Sequence, residues 1–174
     1  MMRADLGLVH VYFGKGVGKS TRAIGLAIRA AGAGLAVDFV QFMKSGDSSE
    51  VGVFEKIPEI RYRCPGKHPF ILADGPKPLH YAHAEKAMQY AETALQGNGS
   101  ILICDEILNA ISFGLIPAKR VLDLIVLARD RMELVLTGRE IGPELLEAAD
   151  YATEFVQIKH PFEQGVKARR AIEY

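Results

Sequence analysis

The sequence contains no tryptophan, only two cysteines and no excess of charge of either sign. Cys64 and Cys104 alone cannot form a disulfide framework, and we expect both to be reduced thiols of a cytoplasmic protein. The 21 lysine and arginine residues are matched by 21 aspartate and glutamate residues. Because no net electric field favours nucleic acid or an anionic membrane, we expect neither as a partner.

Long apolar runs are also missing, so the sequence offers no segment that would span a bilayer. The first six residues lead directly into an apolar run, and we expect no secretory signal peptide. The hydrophobic fraction of 49% and the charged fraction of 24% are typical of globular proteins. A chain of 174 residues can bury a core, and we expect one domain over residues 1–174.

A glycine-rich loop is the most informative motif present. It reads Gly-Lys-Gly-Val-Gly-Lys-Ser-Thr and lies between an apolar run and a helical pattern. Such a loop turns backbone N–H groups toward phosphate oxygens, and the helix that follows points its positive end at the same anions. Lys19 adds a charge, and the Ser20 hydroxyl is placed to bind Mg²⁺. The residues predicted to bind nucleotide here are Gly14, Lys15, Gly16, Val17, Gly18, Lys19, Ser20 and Thr21.

This loop is one residue shorter than the common phosphate-loop motif. The common motif has four residues between its first glycine and the Gly-Lys pair, whereas three residues separate Gly14 from Gly18. We therefore expect the loop to hold a triphosphate differently from most phosphate-loop proteins.

Apolar runs and helical patterns alternate along the rest of the chain. Most runs are continuously apolar, which is typical of strands buried on both faces of a parallel sheet. Together with the phosphate loop, the pattern predicts an α/β fold with a doubly wound, mostly parallel sheet, a P-loop NTPase-like (RecA-like) three-layer sandwich. Predicted strands cover residues 8–13, 36–42, 60–63, 100–104, 132–136 and 153–158, and predicted helices cover residues 20–31, 79–95, 118–129 and 143–149.

An acidic pair follows the apolar run of residues 101–104. Carboxylates at the end of such a strand lie beside the Mg²⁺ site of a phosphate-loop fold, although the same pattern also begins solvated loops. Mg²⁺ prefers hard oxygen ligands, so one or two carboxylates and phosphate oxygens suffice. We predict Ser20, Asp105 and Glu106 as the metal ligands.

Arg139 ends another predicted strand at the same edge of the sheet. It either neutralises a phosphate or forms a surface ion pair with Glu140 or Glu144. No Ser-His-Asp, Cys-His or paired-carboxylate arrangement is evident in the sequence. The motifs thus indicate triphosphate binding without a recognisable general base.

Three segments lie outside the predicted framework: residues 44–50, 64–78 and 159–174. Ligands of open α/β sheets bind beyond the carboxyl ends of the strands, so these segments either form the walls of a second substrate site or simply connect elements. His68 and His160 lie in two of them, where each is placed to reach a ligand.

His80 and His83 lie three residues apart on a predicted helix and share a face. Because the sequence offers no third ligand within reach, we favour a structural role over a metal site for this pair. His10 alternates along a predicted strand and is also interpreted as structural.

These motifs together resemble those of the ATP:corrinoid adenosyltransferases, which adenosylate cob(I)alamin and its precursors. The resemblance includes the short phosphate loop and residues 40–44, 104–107 and 134–139. It is strongest near the C-terminus and covers nearly the whole chain in the expected order. The C-terminal blocks are AD, TE, KHPF, GVKA and IEY at residues 149–150, 153–154, 159–162, 165–168 and 172–174.

The resemblance implies transfer of the 5′-deoxyadenosyl group of ATP to Co(I) of a corrinoid, with release of triphosphate. Attack falls on C5′ of the ribose and not on the γ-phosphorus, so the nucleotide is expected to lie reversed relative to that in other phosphate-loop enzymes. Co(I) is a strong nucleophile with no proton to remove, which accounts for the missing general base. The protein then aligns cobalt with C5′ and stabilises the leaving triphosphate, with Lys19, Ser20 and Glu106 as implied catalytic residues and Mg²⁺ as cofactor.

The resemblance also implies a homodimer and a flavoprotein or other reductant as partner. Some members place a phenylalanine and a tryptophan in the corrinoid-facing loop, where they displace the lower ligand of cobalt. This chain has no tryptophan. Phe70 is the best match to the aromatic position of that loop, and the alternative for Phe70 is a loop residue packed onto the core. Ile71 or Leu72 would occupy the position of the second aromatic residue. We therefore expect a precursor corrinoid rather than complete cobalamin. Further implied substrate contacts are Gln41, Lys44, Phe70, Arg139 and His160.

Two other functions remain compatible with the motifs. A phosphate-loop kinase or ATPase would act on the γ-phosphate, but it needs a residue that orients water or a hydroxyl, and none is identified. A nucleotide-dependent binding module would carry or sense corrinoid without turnover. The intact Lys19, Ser20 and acidic pair argue against this loss of activity.

Overall fold

Six short strands form one sheet in which every pairing is parallel. The computed structural model describes residues 6–174. The strands are β1 (Val9–Phe13), β2 (Val37–Gln41), β3 (Ile60–Arg63), β4 (Ile101–Asp105), β5 (Glu133–Thr137) and β6 (Tyr151–Glu154). Their order across the sheet is β3-β2-β4-β5-β1-β6, so the strand before the phosphate loop lies between β5 and β6.

Helices cover both faces of this sheet. One face carries α1 (Lys19–Gly32) and the short α2 (Val51–Phe54). The other face carries α3 (Pro78–Gln96), α4 (Ile107–Ser112), α5 (Ala118–Ala128) and α6 (Pro143–Glu147). The prediction of a doubly wound three-layer α/β fold is confirmed.

Side chains of the central strands alternate between two hydrophobic cores. In β4, Ile101 and Ile103 pack in the core beneath α1, whereas Leu102 and Cys104 pack in the core beneath α3 and α5. All four side chains are buried. Because both faces of the strand are covered, its sequence is continuously apolar rather than alternating.

The sixth strand differs most from its predicted position, residues 153–158. It comprises Tyr151–Glu154 and pairs with β1, with Phe13 opposite Glu154. After Phe13 the chain turns into the phosphate loop, so residues 155–158 lie beyond the end of the paired strand. Val156 and Ile158 therefore remain exposed despite their apolar pattern.

The C-terminal tail, residues 159–174, contains a 3₁₀ turn at Pro161–Gln164 and otherwise irregular structure. Residues 64–77 form a similarly irregular loop between β3 and α3. Within residues 6–174, no helix combines the length and the apolar character that crossing a membrane requires.

Candidate active site

The phosphate loop joins β1 to α1 at the carboxyl edge of the sheet. Gly14 and Gly18 have φ angles of 109° and 105°, which residues with a side chain rarely adopt. The Gly14 N–H donates to the Arg139 carbonyl at 2.9 Å, and the Gly16 N–H donates to the Phe155 carbonyl at 2.7 Å. The loop is thereby held against the chain segments that follow β5 and β6.

Lys19 bends back over this loop. Its ammonium group donates to the Gly16 carbonyl at 2.6 Å, and the residue is 9% exposed. Burial lowers the pKa of Lys19, while the nearby Glu106 carboxylate opposes that shift. The structure therefore holds a desolvated positive charge at the place where a phosphate-loop lysine meets its ligand.

The Asp105 carboxylate is fully buried and both of its oxygens are occupied. Oδ1 accepts hydrogen bonds from the hydroxyls of Ser20 (2.9 Å) and Thr137 (2.8 Å). Oδ2 accepts from the Gln41 amide and forms an ion pair with the Lys44 ammonium, both at 3.3 Å. Lys44 also donates to Ser20 Oγ at 3.3 Å. Asp105 thus fixes the direction of the Ser20 hydroxyl.

Glu106 is the N-cap residue directly before α4 and has a φ angle of 66°, in the left-handed region. Its N–H donates to Thr137 Oγ1 at 2.9 Å, and its carboxylate accepts a hydrogen bond from the Asn109 amide. Burial and the neighbouring Asp105 raise the pKa of Glu106. A divalent cation would offset this repulsion, and hard oxygen donors at Ser20 and Glu106 fit Mg²⁺ shared with phosphate oxygens.

Few protein ligands are needed for such a site. Among the residues from 6 to 174, no group of three or more His, Cys, Asp or Glu side chains is arranged to hold a metal ion. Mg²⁺ that is bound together with a triphosphate takes most of its ligands from phosphate and water.

A groove of about 1540 Å³ extends from the phosphate loop along α1 to the C-terminal tail. This volume exceeds the roughly 300–1,000 Å³ of sites for single drug-sized ligands. Nine predicted site residues line it: Val17, Gly18, Lys19, Ser20, Thr21, Lys44, Glu106, Arg139 and His160. The remaining predicted residues lie outside its lining: Gly14, Lys15, Gly16, Gln41, Phe70 and Asp105.

Two of the residues outside the groove have clear environments of their own. Gln41 is fully buried, where its side-chain carbonyl accepts a hydrogen bond from the Tyr62 hydroxyl at 2.7 Å. Its position is thereby fixed, and its amide helps to hold the Asp105 carboxylate. Phe70 is 92% exposed in the loop of residues 64–77, which excludes the alternative of a residue packed onto the core.

Several residues of the site were missed from the sequence. Thr137 and Asn109 lie within or just beyond recognised motifs, and Asn109 follows Glu106 by three residues, the spacing of neighbours on a helix. No motif in the sequence pointed to Phe155 as a site residue. Residues 171–174 were not missed in this way, since they belong to the tail that was a candidate wall of a second substrate site. They line the groove, where the Ser49 hydroxyl donates to the Tyr174 carbonyl at 3.1 Å.

The family model of ATP:corrinoid adenosyltransferase BtuR/CobO/CobP matches residues 5–174. The chain belongs to this family. A corrinoid adenosyltransferase of Pseudomonas aeruginosa is 34% identical, with 99% of this chain and 86% of the relative covered. One of Sinorhizobium sp is 32% identical over 98% of this chain and 81% of the relative. A corrinoid adenosyltransferase of Escherichia coli K12 is 29% identical over 98% of this chain and 87% of the relative.

Membership confirms the principal prediction made from the motifs. As an ATP:corrinoid adenosyltransferase, the chain belongs to enzymes that transfer the adenosyl group of ATP to corrinoids. The groove beside the phosphate loop is accordingly the candidate active site of this adenosyltransferase, and its two substrates are ATP and a corrinoid.

Proposed function

We propose that this adenosyltransferase acts on cob(I)yrinic acid a,c-diamide or cob(I)alamin in the biosynthesis or salvage of adenosylcobalamin. The electron pair of Co(I) attacks C5′ of ATP, the Co–C bond forms as the C5′–O bond breaks, and triphosphate leaves. The supporting observation is that Lys19, Ser20, Lys44, Glu106 and Arg139 meet in one groove at the shortened phosphate loop. This arrangement suits a reaction in which charge develops on triphosphate and no proton is removed.

Three cationic side chains of the groove, Lys19, Lys44 and Arg139, would stabilise the leaving triphosphate. When bound, Mg²⁺ would supply further positive charge to the same oxygens. Ser20 and Glu106 are the residues that would hold it, and Asp105 would act by orienting Ser20. Lys44 approaches both Ser20 and Asp105, so its ammonium group would share this space with the metal.

The corrinoid side of the proposal rests on the loop of residues 64–77. The exposed ring of Phe70 is free to contact a flat macrocycle. Because no tryptophan assists it, less binding energy is available to displace a lower cobalt ligand, and we propose a precursor corrinoid as the preferred substrate. We also propose a cytoplasmic homodimer supplied with electrons by a flavoprotein or another reductant, a compartment compatible with the free thiols of Cys64 and Cys104.

An anaerobic assay tests the proposal. The protein is mixed with MgATP and either cob(I)yrinic acid a,c-diamide or cob(I)alamin, and the absorbance of the corrinoid and the phosphate product are followed. Formation of a Co–C bond with free triphosphate supports the proposal, and a higher kcat/KM for the diamide supports the precursor preference. Release of ADP without a Co–C bond indicates a kinase or ATPase, whereas binding without either product indicates a binding module.

Two variants assign roles within the same assay. Lys19→Ala should lower kcat by at least about 100-fold because it removes preorganised charge from the leaving group. Lys119→Ala is the control, since Lys119 is exposed on α5 and pairs with Asp123. Phe70→Ala should impair mainly the cobalt step; an unchanged corrinoid reaction and spectrum would refute the role of its loop.

A further inference from the structure

Three imidazole rings meet where the loop of residues 64–77 joins the first turns of α3. The ring centroid of His68 lies 5.0 Å from that of His80 and 4.7 Å from that of His83. His80 and His83 are only 1% and 5% exposed. Neither residue lines the groove beside the phosphate loop, so their burial has no explanation in the nucleotide site.

Each buried imidazole of α3 binds a backbone carbonyl of the loop. Nε2 of His83 lies 2.9 Å from the Gly66 oxygen, and Nε2 of His80 lies 3.2 Å from the Pro69 oxygen. Nδ1 of His80 accepts from the Lys77 N–H at 2.7 Å. Because a carbonyl can only accept, both Nε2 atoms must carry hydrogen, and Nδ1 of His80 must carry none.

The remaining ring nitrogens of the cluster also favour neutral rings. Nδ1 of His83 and Nε2 of His68 are buried without a hydrogen-bond partner in the part of the chain that the structure describes. A hydrogen at either atom would have no acceptor in this arrangement. The cluster is therefore built for neutral imidazoles in which Nε2 of His80 and of His83 acts as donor.

The anchored carbonyls lie directly before the exposed ring of Phe70. Gly66 and Pro69 flank Lys67 and His68, and Phe70 follows Pro69. The His68 N–H donates to the Ser45 hydroxyl at 3.3 Å, which joins the loop to the segment that carries Lys44. Residues 64–77 belong to no helix or strand beyond an isolated bridge. These contacts therefore hold the loop together with Ile71, which packs against the core, and with the Cys64 thiol, which donates to the Lys44 carbonyl at 3.2 Å.

We propose that His80 and His83 are positioning residues whose neutral rings tie the backbone at Gly66 and Pro69 to α3 and thereby fix where Phe70 is presented to the corrinoid. The anchoring of the loop is inferred only from the contacts of His80 and His83 with the two carbonyls. The presentation of Phe70 to the corrinoid rests in addition on the proposed function.

Limited cleavage by trypsin measures the anchoring. The peptide bond after Lys67 lies between the two anchored carbonyls, and Lys67 is exposed. His83→Leu removes one donor worth about 1.4 kcal/mol, so cleavage there should be about tenfold faster. His83→Gln keeps an N–H donor and should stay within about threefold of the unmodified protein. Gln89→Leu, on the exposed face of α3, is the matched control and should leave the rate unchanged.

The cleavage rates of these variants show whether His83 anchors the loop. Circular dichroism first confirms that the variants are folded. Equal cleavage of the unmodified protein and His83→Leu overturns the anchor. Fast cleavage of both His83→Leu and His83→Gln overturns the donated hydrogen bond as the anchor, because an N–H donor at this position then does not hold the loop.

Kinetics then test the consequence for the corrinoid. His83→Leu should raise the KM for the corrinoid several-fold and leave the KM for ATP unchanged. His83→Gln should have a KM for the corrinoid close to that of the unmodified protein. Faster cleavage with an unchanged corrinoid KM overturns the positioning of Phe70. If the unmodified protein forms no Co–C bond, the proposed function and the corrinoid part fail together, and the cleavage rates alone decide the anchor.

Discussion

At the scale of single residues, Thr137 connects the two members of the acidic pair. Its hydroxyl donates to Asp105 Oδ1 and accepts from the Glu106 N–H. Thr137 is fully buried, so no water can replace these bonds without a rearrangement of the site. One hydroxyl therefore sets both the direction of Asp105 and the left-handed start of α4.

Thr137→Val keeps the shape of the side chain and removes the hydroxyl. We expect the free energy of unfolding to fall by about 1–3 kcal/mol, because the Glu106 N–H loses its acceptor inside the protein. Urea unfolding followed by circular dichroism measures this change. Thr137→Ser retains the hydroxyl, so its free energy of unfolding should fall less. Equal decreases in both variants would show that the methyl group matters more than the hydrogen bonds.

At the scale of elements, the phosphate loop depends on its contact with the segment after β6. A Cβ atom on Gly16 would lie 2.8 Å from the carbonyl carbon and oxygen of Phe155. Because these are backbone atoms, neither side can move away cheaply. The glycine is therefore required by packing between two elements as well as by phosphate binding.

Gly16→Ala should lower the free energy of unfolding by about 1–3 kcal/mol or more, because the new methyl group overlaps the Phe155 backbone. Gly32→Ala, at the end of α1 with no atom within 4 Å of the added Cβ, is the control. It should be neutral or stabilising by less than about 1 kcal/mol. A Gly16→Ala protein as stable as the control would contradict the close contact.

The loop of residues 64–77 should loosen in acid. Burial, together with the neighbouring His83 and His80, lowers the pKa of His68 to about 4. A detached loop would bind this proton near the ordinary pKa of about 6.5, so acid favours detachment. The contribution of His68 is fully present above pH 6.5 and is lost progressively as the pH falls toward 4.

Hydrogen exchange of the loop amides, corrected for the intrinsic effect of pH, measures this loosening. Exchange in residues 64–77 should accelerate between about pH 6.5 and pH 4, while peptides from α5 stay protected. The groups facing His68 are His80 and His83 on α3 and the neutral Ser45 after β2. His68→Leu should weaken the pH dependence of exchange in this loop. If the pH dependence were unchanged in this variant, groups other than His68 would be its cause.

At the scale of the whole molecule, the phosphate loop and the C-terminal tail meet at the groove. The phosphate loop lies near the N-terminus, and residues 171–174 line the same groove from the C-terminal tail. Deleting residues 171–174 should raise the Kd for MgATP by about threefold to tenfold, because part of the wall and the hydrogen bond from Ser49 are lost. Isothermal titration calorimetry measures this affinity.

The tail is exposed, so the same deletion should change the melting temperature little. Phe162→Ala is the control, since Phe162 lies in the tail outside the lining of the groove. An unchanged Kd after the deletion would show that the tail does not contribute to the nucleotide site. A large loss of melting temperature would instead assign the tail a structural role.

Sequence patterns were sufficient to predict the alternation of strands and helices, the phosphate loop and the acidic pair at the end of β4. These features are local: hydrophobic periodicity, glycine content and the position of charges after apolar runs appear within a few residues. The same local pattern misplaced β6, because the strand ends where its partner β1 ends and not where its own apolar pattern ends.

Which residues share the site follows from the arrangement of the strands in space. The order of the strands places β1 between β5 and β6, and this neighbourhood brings Arg139 and Phe155 against the phosphate loop. The hydrogen bond from Ser20 to Asp105 spans 85 positions of the chain. Contacts over such separations depend on the order of strands and on packing between layers, which no local pattern encodes, whereas each element depends mainly on its own residues.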